Sequence, residues 1–306
     1  MHGLILVDKP RGITSHDVVA RIRNILGQQQ VGHFGTLDPL ATGLLLVAVG
    51  RATRLFPCYS RHDKIYSGEM RLGFSTDTYD VQGKPTSEER NCYPDRHALV
   101  EAMKKFVGPQ NQVPPPYSAK KVEGKPLYEW ARAKKTVRFE ASPVVVYAFN
   151  LRDYSPPYVG FDVHCASGTY VRSLVHDLGQ ALGCGAHLSG LRRLAIGAHG
   201  IQDALSLKKI DKLAQEGNPE GFLLPLESLL PEVPRAILSE AGCRSLQKGR
   251  PLQAEHVTKI IPAESPPGPA AEGSESYRLF SREGRFLALA KPIEGKNTFL
   301  PFIFSG

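Results

Sequence analysis

The sequence is poor in several features that would define its class. Its 306 residues contain five cysteines, and no two of them have the Cys-x-x-Cys spacing. A disulfide framework or a four-thiolate zinc site is therefore not expected, and a reducing compartment suits the chain. The most apolar run, residues 44–49, is far below the roughly 20 residues that cross a bilayer. The N-terminal apolar run is too short for a signal peptide, so we expect a cytoplasmic protein without membrane contact.

Composition and charge indicate a folded chain with a basic surface. Hydrophobic residues make up 42% and charged residues 22%, which excludes wholesale disorder. The length favours two domains. Lysine and arginine number 38 against 30 acidic residues, giving a net charge of +8. This excess is too mild for a histone-like polycation, but one basic face would suit a polyanion such as RNA or DNA.

Much of the excess charge lies in one segment. Residues 117–139 hold seven lysines or arginines and two glutamates, directly after a run of three prolines. We expect residues 109–126 to stay outside the core, and a helix to follow near 127–135. One interpretation is an arm that closes over a phosphate backbone. The alternative is a solvated charged face, which is what charge runs usually are.

Apolar spacing and turn residues predict the elements of the first 182 residues. Residues 4–7, 44–49 and 65–72 read as strands, and 144–154 and 158–164 as a strand pair. Because residues 44–49 are continuously apolar, this strand should be covered on both faces. Three helices are expected: after a Thr14 or Ser15 cap up to Gly27, over 94–107, and from a Thr169 cap to residue 182. Residues 28–43 read as a loop.

After residue 226 the sequence pattern changes to short strands, one short helix and loop-like segments. Residues 226–235 resemble a linker, a helix is expected near 239–248, and residues 277–281 and 285–290 suggest a hairpin. Residues 262–276 consist of Pro, Ala, Glu, Ser and Gly and predict a flexible loop. We expect a β-barrel-like module of about 70 residues.

Asp38 is the most conspicuous candidate for chemistry. It is the only Asp, Glu, Lys or Arg between Asn24 and Arg51. A carboxylate in such a run is expected to be partly desolvated and to need an arginine or several amide donors. Pro39 biases it toward extended backbone, and nearby glycines let a ligand approach closely. The alternative is an aspartate that only caps a turn, a common role before proline.

An ordered set of motifs resembles the TruB family of tRNA pseudouridine-55 synthases. The resemblance covers about residues 3–230, and its most specific part surrounds Asp38. The motifs, as they stand here, are Lys9-Pro10, Gly32-His33-Phe34-Gly35-Thr36-Leu37-Asp38-Pro39-Leu40-Ala41-Thr42-Gly43, Lys64-Ile65-Tyr66, Gly168-Thr169-Tyr170-Val171-Arg172-Ser173-Leu174, Gly185-Ala186-His187-Leu188 and Leu191-Arg192-Arg193.

The resemblance implies a fold and a reaction. The fold would be α+β, with a mixed, largely antiparallel sheet flanked by helices. Residues 1–230 would form the catalytic domain, with an RNA-clamping arm near 109–139, and residues 231–306 a PUA-like RNA-binding module. The reaction would isomerise uridine 55 in the T loop of tRNA, with no cofactor and no metal. The chain would act as a monomer, without an obligatory protein or guide-RNA partner.

The resemblance also implies site residues. Asp38 would attack C1′ or C6 as a nucleophile or abstract a proton from C2′, and these routes stay open. Arg172 would hold Asp38 ionised through an ion pair, because a guanidinium is permanently charged. Tyr66 would stack on the target base and handle a proton. The expected substrate-binding residues are His33, which would fill the place of the flipped base, Asp80, which would lie near Arg172 and orient it, Leu191, Lys9, Lys120 and Lys121.

Three alternatives remain at this point. A non-catalytic RNA binder or tRNA folding helper could use the same arm and module. A sister enzyme of the same chemistry could depend on a guide RNA or act on ribosomal RNA. A metal-dependent hydrolase is disfavoured because the ten histidines lack ligand spacing.

Overall fold

The computed structural model describes residues 1–118, 120–122, 124–133, 140–264, 276–293 and 298–304. In chain order, its helices are α1 (Ser15–Leu26), α2 (Phe56–Tyr59), α3 (Arg96–Lys104), α4 (Leu127–Arg132), α5 (Val171–Ala181), α6 (Leu207–Gln215) and α7 (Glu240–Gln247). Its strands are β1 (Gly3–Lys9), β2 (Val31–Phe34), β3 (Thr42–Val49), β4 (Lys64–Leu72), β5 (Gly108–Gln112), β6 (Lys121–Val122), β7 (Lys125–Pro126), β8 (Ser142–Ser155), β9 (Tyr158–Cys165), β10 (Ala186–Ile196), β11 (His199–Gly200), β12 (Leu224–Pro225), β13 (Arg235–Leu238), β14 (Leu252–Gln253), β15 (Val257–Ile261), β16 (Tyr277–Phe280), β17 (Phe286–Pro292) and β18 (Thr298–Phe304).

The chain divides into two compact units. The first comprises residues 1–39, 43–62 and 195–306, and the second comprises residues 40–42 and 63–194. The predicted domain boundary near residue 230 stays a prediction. In the part of the chain that is described, no helix is both long and apolar enough to cross a membrane.

The sheet of the first unit is covered on both faces. β1 pairs antiparallel with β3 and β12, and β2 also pairs with β3. Side chains alternate between the two faces of a strand, so odd and even positions meet different neighbours. The odd positions pack against α1 and α6; the main members are Ile5, Val7, Leu45, Val47, Val18, Ile22, Ile210 and Leu213. The prediction that residues 44–49 form a strand covered on both faces is confirmed.

C-terminal strands supply the cover of the second face. Even positions of β1 and β3 share one apolar cluster with the segment around residue 229 and with β16 and β17; its members include Leu4, Leu6, Leu44, Leu46, Leu226, Leu229, Leu230, Phe280, Phe286 and Leu289. The C-terminal strands form a six-stranded sheet that curls into a half-barrel, in the order β14-β18-β17-β16-β13-β15. The predicted helix near 239–248 and the predicted hairpin are confirmed as α7 and the β16–β17 pair. Residues 265–275 of the predicted loop lie outside the described residues.

A buried arginine ties the C-terminal sheet to the segment before it. Arg278 on β16 is 0% exposed. It donates from Nε to the Val233 carbonyl oxygen at 2.8 Å, and from Nη1 to the Leu229 carbonyl oxygen at 3.1 Å. Its Nη2 lies 2.9 Å from Glu264 Oε1. The predicted linker 226–235 is therefore an anchored segment, because its carbonyl groups are satisfied by a side chain of the sheet that follows.

The second unit is built on a sheet in the order β10-β4-β9-β8-β5. β4 and β9 pair antiparallel, with Tyr66 opposite Val163, and β8 and β9 form the predicted hairpin. α3 packs against β8 and α5. The apolar side of α5 is buried through Leu174, Val175 and Leu178, as its spacing predicts.

Four expectations need correction. The predicted loop 28–43 contains β2, a strand of only four residues whose Val-Gly-His-Phe sequence shows no alternation that would indicate its pairing to β3. The helix predicted over 94–107 is limited to α3, which begins after an Asp95 cap. Residues 109–126 are not all outside the core, because β5 pairs with β8 and Pro114, Pro115 and Ser118 are buried. The cap of α5 is Tyr170 rather than Thr169.

Two other expectations concern helix ends. Thr14 caps α1 in a reciprocal capping box with Asp17, and Gly27 ends the helix in the left-handed conformation, as predicted. The helix predicted near 127–135 is present as α4, over Leu127–Arg132. Residues 134–139, which include the end of that prediction, lie outside the described residues.

Arg278→Ala is expected to lower the free energy of unfolding by about 3 kcal/mol, because it removes a fully buried side chain and leaves the Leu229 and Val233 carbonyl groups without their donor. Urea titration followed by circular dichroism measures the loss. Arg244→Ala is the matched control: Arg244 is exposed and forms only a surface pair with Glu240, so about 0.5 kcal/mol or less is expected. Equal losses in the two variants would contradict an anchoring role for Arg278.

Candidate active site

Asp38 lies in a turn that is fastened to the start of α1. Ser15 Oγ accepts from the Leu37 N–H at 2.8 Å and donates to the Leu37 carbonyl oxygen at 3.1 Å. On the other side, the Gly12 N–H donates to the Pro39 carbonyl oxygen at 2.8 Å. Asp38 itself is half-buried. The main chain on both sides of this carboxylate is thus fixed by the first unit.

Lys9 and His33 belong to the same unit. Lys9 is 0% exposed, and its Nζ donates to the carbonyl oxygens of Ile13 at 2.7 Å and Pro10 at 3.1 Å. These bonds close the turn between β1 and α1. His33 is half-buried on β2, opposite Val47 of β3. The substrate contacts predicted for both residues stay predictions.

Tyr66 lies on the buried face of β4 in the second unit and is 8% exposed. Lys64, two residues earlier, occupies the same face, because side chains alternate along a strand. Burial, assisted by the charge of Arg193, lowers the pKa of Lys64 to about 8. The strand face that carries Tyr66 is therefore both desolvated and positively charged.

Arg172 is buried at the start of α5, with 6% of the residue exposed. Its Nη1 donates to the Thr78 carbonyl oxygen at 3.1 Å, and its Nη2 donates to the Tyr117 carbonyl oxygen at 3.0 Å. Asp80 Oδ2 lies 3.7 Å from Nη1. An arginine exposed in a first helical turn would have none of these acceptors, so Arg172 is held inside the second unit.

Asp80 belongs to a turn that is rigid through its own hydrogen bonds. Its Oδ1 accepts from Thr78 Oγ1 at 2.7 Å and from the Gln82 N–H at 3.0 Å. Its carbonyl oxygen accepts from Thr76 Oγ1 at 2.7 Å. The Asp80 carboxylate therefore reaches Arg172 from a fixed position.

Leu191 is half-buried on β10. Its carbonyl oxygen accepts from Thr42 Oγ1 at 3.5 Å, and Arg192 Nη1 lies 3.5 Å from the same hydroxyl. Thr42 follows Asp38 by four residues and belongs to the second unit. The strand that carries Leu191 is thus attached to the segment that follows the Asp38 turn.

The basic arm is described in part. Lys120 Nζ donates to Ser142 Oγ at 2.5 Å and to the Glu140 carbonyl oxygen at 3.2 Å, which ties the arm to the start of β8. Lys121 lies on β6, which pairs with β7 in a two-stranded ribbon. Residues 119, 123 and 134–139 of the arm lie outside the described residues.

Gln112 at the end of β5 is a site residue that the sequence analysis missed. It is 2% exposed. Its Oε1 accepts from the Tyr170 N–H at 2.7 Å, and its Nε2 donates to the Tyr170 carbonyl oxygen at 3.1 Å. Ser173 Oγ also donates to the Val113 carbonyl oxygen at 2.7 Å. Gln112 thus fixes the main chain of Tyr170, the N-cap residue of α5, and only its place before the proline run could have drawn attention to it.

The structure brings together some of the predicted site residues. Arg172 and Asp80 are in contact, and Tyr66 and Leu191 lie on the neighbouring strands β4 and β10. Asp38 belongs to the other unit, and its ion pair with Arg172 stays a prediction. Over the described ranges, no three His, Cys, Asp or Glu side chains gather to hold a metal ion.

Gln112→Ala is expected to slow about tenfold the isomerisation that the resemblance implies, because the start of α5, which carries Arg172, loses both side-chain hydrogen bonds at Tyr170. The loss should appear in the single-turnover rate rather than in RNA affinity. Asn111→Ala, at the exposed neighbouring position, is the control and should leave the rate unchanged. A rate in Gln112→Ala equal to that of Asn111→Ala would count against this role.

The fold is shared with solved structures. A chain of "Structure of H/ACA RNP bound to a substrate RNA containing 2'-deoxyuridine" matches with a TM-score of 0.74 and 24% identity, over 99% of this chain and 85% of that chain. A chain of "Crystal Structure of a Cbf5-Nop10-Gar1 Complex" matches with a TM-score of 0.74 and 25% identity, over 99% and 84%. The predicted α+β class is confirmed, and the molecule has the fold of the pseudouridine synthases.

Sequence comparisons define the family. The model "TruB family pseudouridylate synthase (N terminal domain)" matches residues 23–171, and "tRNA pseudouridylate synthase B C-terminal domain" matches residues 172–231. "tRNA pseudouridine synthase B" of Solibacter usitatus is 43% identical over 268 residues, 86% of this chain and 92% of that protein. The protein of the same name from Cupriavidus metallidurans is 42% identical over 299 residues, 96% and 92%. The chain belongs to the TruB family and is a pseudouridine synthase, an isomerase.

Proposed function

We propose that this protein isomerises uridine 55 in the T loop of tRNA to pseudouridine, with Asp38 as the catalytic group. The observation that carries the proposal is the 43% identity, over 268 residues, to a protein named tRNA pseudouridine synthase B. The choice of position 55 rests on the motif around Asp38 that resembles the TruB family.

The reaction moves one glycosidic bond. The bond between C1′ and N1 of the base breaks, the base turns, and a bond between C1′ and C5 forms. The proton on C5 leaves and N1 gains a proton, so atoms and electrons balance without a cofactor. Asp38 starts this sequence, as a nucleophile at C1′ or C6 or as a base at C2′. The fixed main chain around Asp38 favours such a role, because it aims the carboxylate.

Three further residues handle the base. A uridine in a folded T loop must leave its stack, which costs a few kcal/mol. His33 offsets part of that cost by occupying the vacated place. Tyr66 stacks on the flipped base, an interaction worth about 1–3 kcal/mol, and handles a proton at C5. Leu191 packs against the base from β10.

Arg172 keeps the carboxylate of Asp38 ionised. A guanidinium has five N–H donors, and two carbonyl oxygens and the Asp80 carboxylate already orient this one. Its charge is held in a buried place, where electrostatic interactions are stronger than in water. Arg172 therefore supplies charge to Asp38 without rearranging during the reaction.

The substrate is held through its phosphates. Lys120, Lys121 and the PUA-like module contribute phosphate contacts, and the buried Lys9 contributes indirectly by closing the turn between β1 and α1. The protein acts as a monomer without a guide RNA. Phosphate contacts position an RNA but carry no sequence information, so the choice of uridine comes from the shape of the T arm.

Asp38→Asn is expected to abolish pseudouridine formation, because the amide has neither the charge nor the basicity that every route requires. Its affinity for tRNA should stay within about tenfold of the unsubstituted protein, or about 1.4 kcal/mol. Purified protein is incubated with an unmodified tRNA transcript, and the isomer at position 55 is mapped. Asp153→Asn, an exposed carboxylate at the β8–β9 hairpin, is the matched control and should be fully active.

The outcomes separate the alternatives. Modification that survives Asp38→Asn would show that Asp38 is not the catalytic group. A protein that binds tRNA but never modifies it would be an RNA binder or folding helper. Activity that appears only with an added guide RNA or partner protein would assign the chain to the guide-dependent class, and pseudouridine at another position would overturn position 55.

Binding of tRNA is expected to weaken steeply with salt, because lysine and arginine contacts release counterions from the phosphates. The slope of log affinity against log salt should become shallower by about 1 in Lys121→Gln. Lys104→Gln, an exposed lysine of α3 paired with Glu101, should leave the slope unchanged. A flat salt response of the unsubstituted protein would refute the basic-arm proposal.

A further inference from the structure

The turn that holds Arg172 contains a residue with an unusual backbone. Tyr79 lies between Thr78, whose carbonyl oxygen accepts from Arg172, and Asp80, whose carboxylate faces it. The φ of Tyr79 is +64°, in the left-handed region. Among the described non-glycine residues, this region is shared only with Leu230. A bulky side chain is rarely found there, and such strain persists only where neighbouring groups compensate for it.

The main chain of Tyr79 is tied to β10. Its carbonyl oxygen accepts from the Leu188 N–H at 3.0 Å, and the Val81 N–H donates to the Leu188 carbonyl oxygen at 2.9 Å. These bonds fix one side of the turn. The Tyr79 N–H also donates to the Thr76 carbonyl oxygen at 3.2 Å, so the main chain of the turn is ordered locally, and the contact of the Tyr79 ring is what attaches it to α5.

The ring of Tyr79 stacks on His176 of α5. The ring centroids are 3.7 Å apart and the planes differ by 10°. Burial lowers the pKa of His176, which favours the neutral imidazole, and burial raises the pKa of the Tyr79 hydroxyl. Asp177 also lies near Tyr79, and burial raises the pKa of its carboxyl to about 6.

His176 follows Arg172 by four residues, so the two side chains lie on one face of α5, one turn apart. Arg172 contacts Thr78 and Asp80, while His176 contacts Tyr79. One face of α5 therefore contacts three consecutive residues of the turn, Thr78 to Asp80. The contacts of Arg172 with Thr78 and Asp80 and the contact of His176 with Tyr79 are therefore linked. A shift of the Tyr79 ring would move the residues on either side of it, which are the ones that bind Arg172.

We propose that Tyr79 and His176 are positioning residues for Arg172. Their stack attaches the turn to α5, one helical turn after Arg172, and so keeps the Thr78 carbonyl group and the Asp80 carboxylate where they orient the guanidinium. This inference rests on the proposed function, because it takes the aim of Arg172 to matter for the reaction at Asp38.

The test removes the ring without adding backbone strain. Asparagine tolerates the left-handed region, so Tyr79→Asn adds no backbone strain to the turn and removes the stack on His176. The single-turnover rate of pseudouridine formation is expected to fall about tenfold at pH 8, above the pKa values of His176 and Asp177, with unchanged tRNA affinity. Tyr79→Phe keeps the ring and should restore the rate. Tyr158→Asn, an exposed tyrosine of the β8–β9 hairpin, is the control.

A double substitution distinguishes positioning from mere stability. In an Arg172→Lys background, adding Tyr79→Asn is expected to cost less than twofold, because the fork of donors to be positioned is gone. A tenfold loss in both backgrounds would overturn the proposal, since Tyr79 would then act elsewhere. A rate of Tyr79→Asn equal to that of Tyr158→Asn would also overturn it.

Hydrogen exchange of the free protein supplies a readout that needs no RNA. Tyr79→Asn should speed exchange at the amides of Val81 and Leu188, and Tyr79→Phe should not. Unchanged exchange would overturn the proposal even if activity fell. A wild-type chain that forms no pseudouridine in tRNA would contradict the proposed function instead, and exchange alone would then decide whether the stack orders the turn.

Discussion

The buried guanidinium of Arg172 is the constraint on which the candidate site in the second unit depends. A buried cation is costly unless its N–H groups meet acceptors in fixed directions. Arg172 meets the carbonyl oxygens of Thr78 and Tyr117 and the carboxylate of Asp80. These acceptors come from two segments that are distant in sequence from α5. The turn before α3, the segment after β5 and the start of α5 must therefore come together for the unit to be stable, so folding and placement of the candidate catalytic groups are linked.

In the first unit, the main constraint is that both faces of β1 and β3 must be buried. β1 and β3 are apolar on both faces, so a layer of helices on one side cannot bury them. α1 and α6 cover one face, and residues of β16 and β17 belong to the cluster on the other. Arg278 binds the carbonyl groups of the segment that leads into this sheet. The PUA-like module thus contributes to the core that covers one face of β1 and β3, in addition to any role in RNA binding.

Local signals predicted the elements whose stability is local. α1 has its Thr14 cap and its Gly27 end within one stretch of sequence, and β3 is a continuous apolar run. β2 and β5 were missed because they exist only through pairing with β3 and β8. The motif around Asp38 and the pairing of Asp80 with Arg172 followed from a family resemblance. Gln112 could not be predicted, because its role depends on a contact with a residue 58 positions away.

The two units use the same local arrangement next to their candidate catalytic groups. Ser15 bonds both the N–H and the carbonyl group of Leu37, directly before Asp38, and Gln112 does so for Tyr170, two residues before Arg172. A side chain that satisfies both main-chain groups fixes a residue much as strand pairing would. Because the fold already orders Asp38 and Arg172 in the free protein, no binding free energy is lost in ordering them when tRNA binds. In the proposed mechanism, that free energy is left to extract the uridine from its stack.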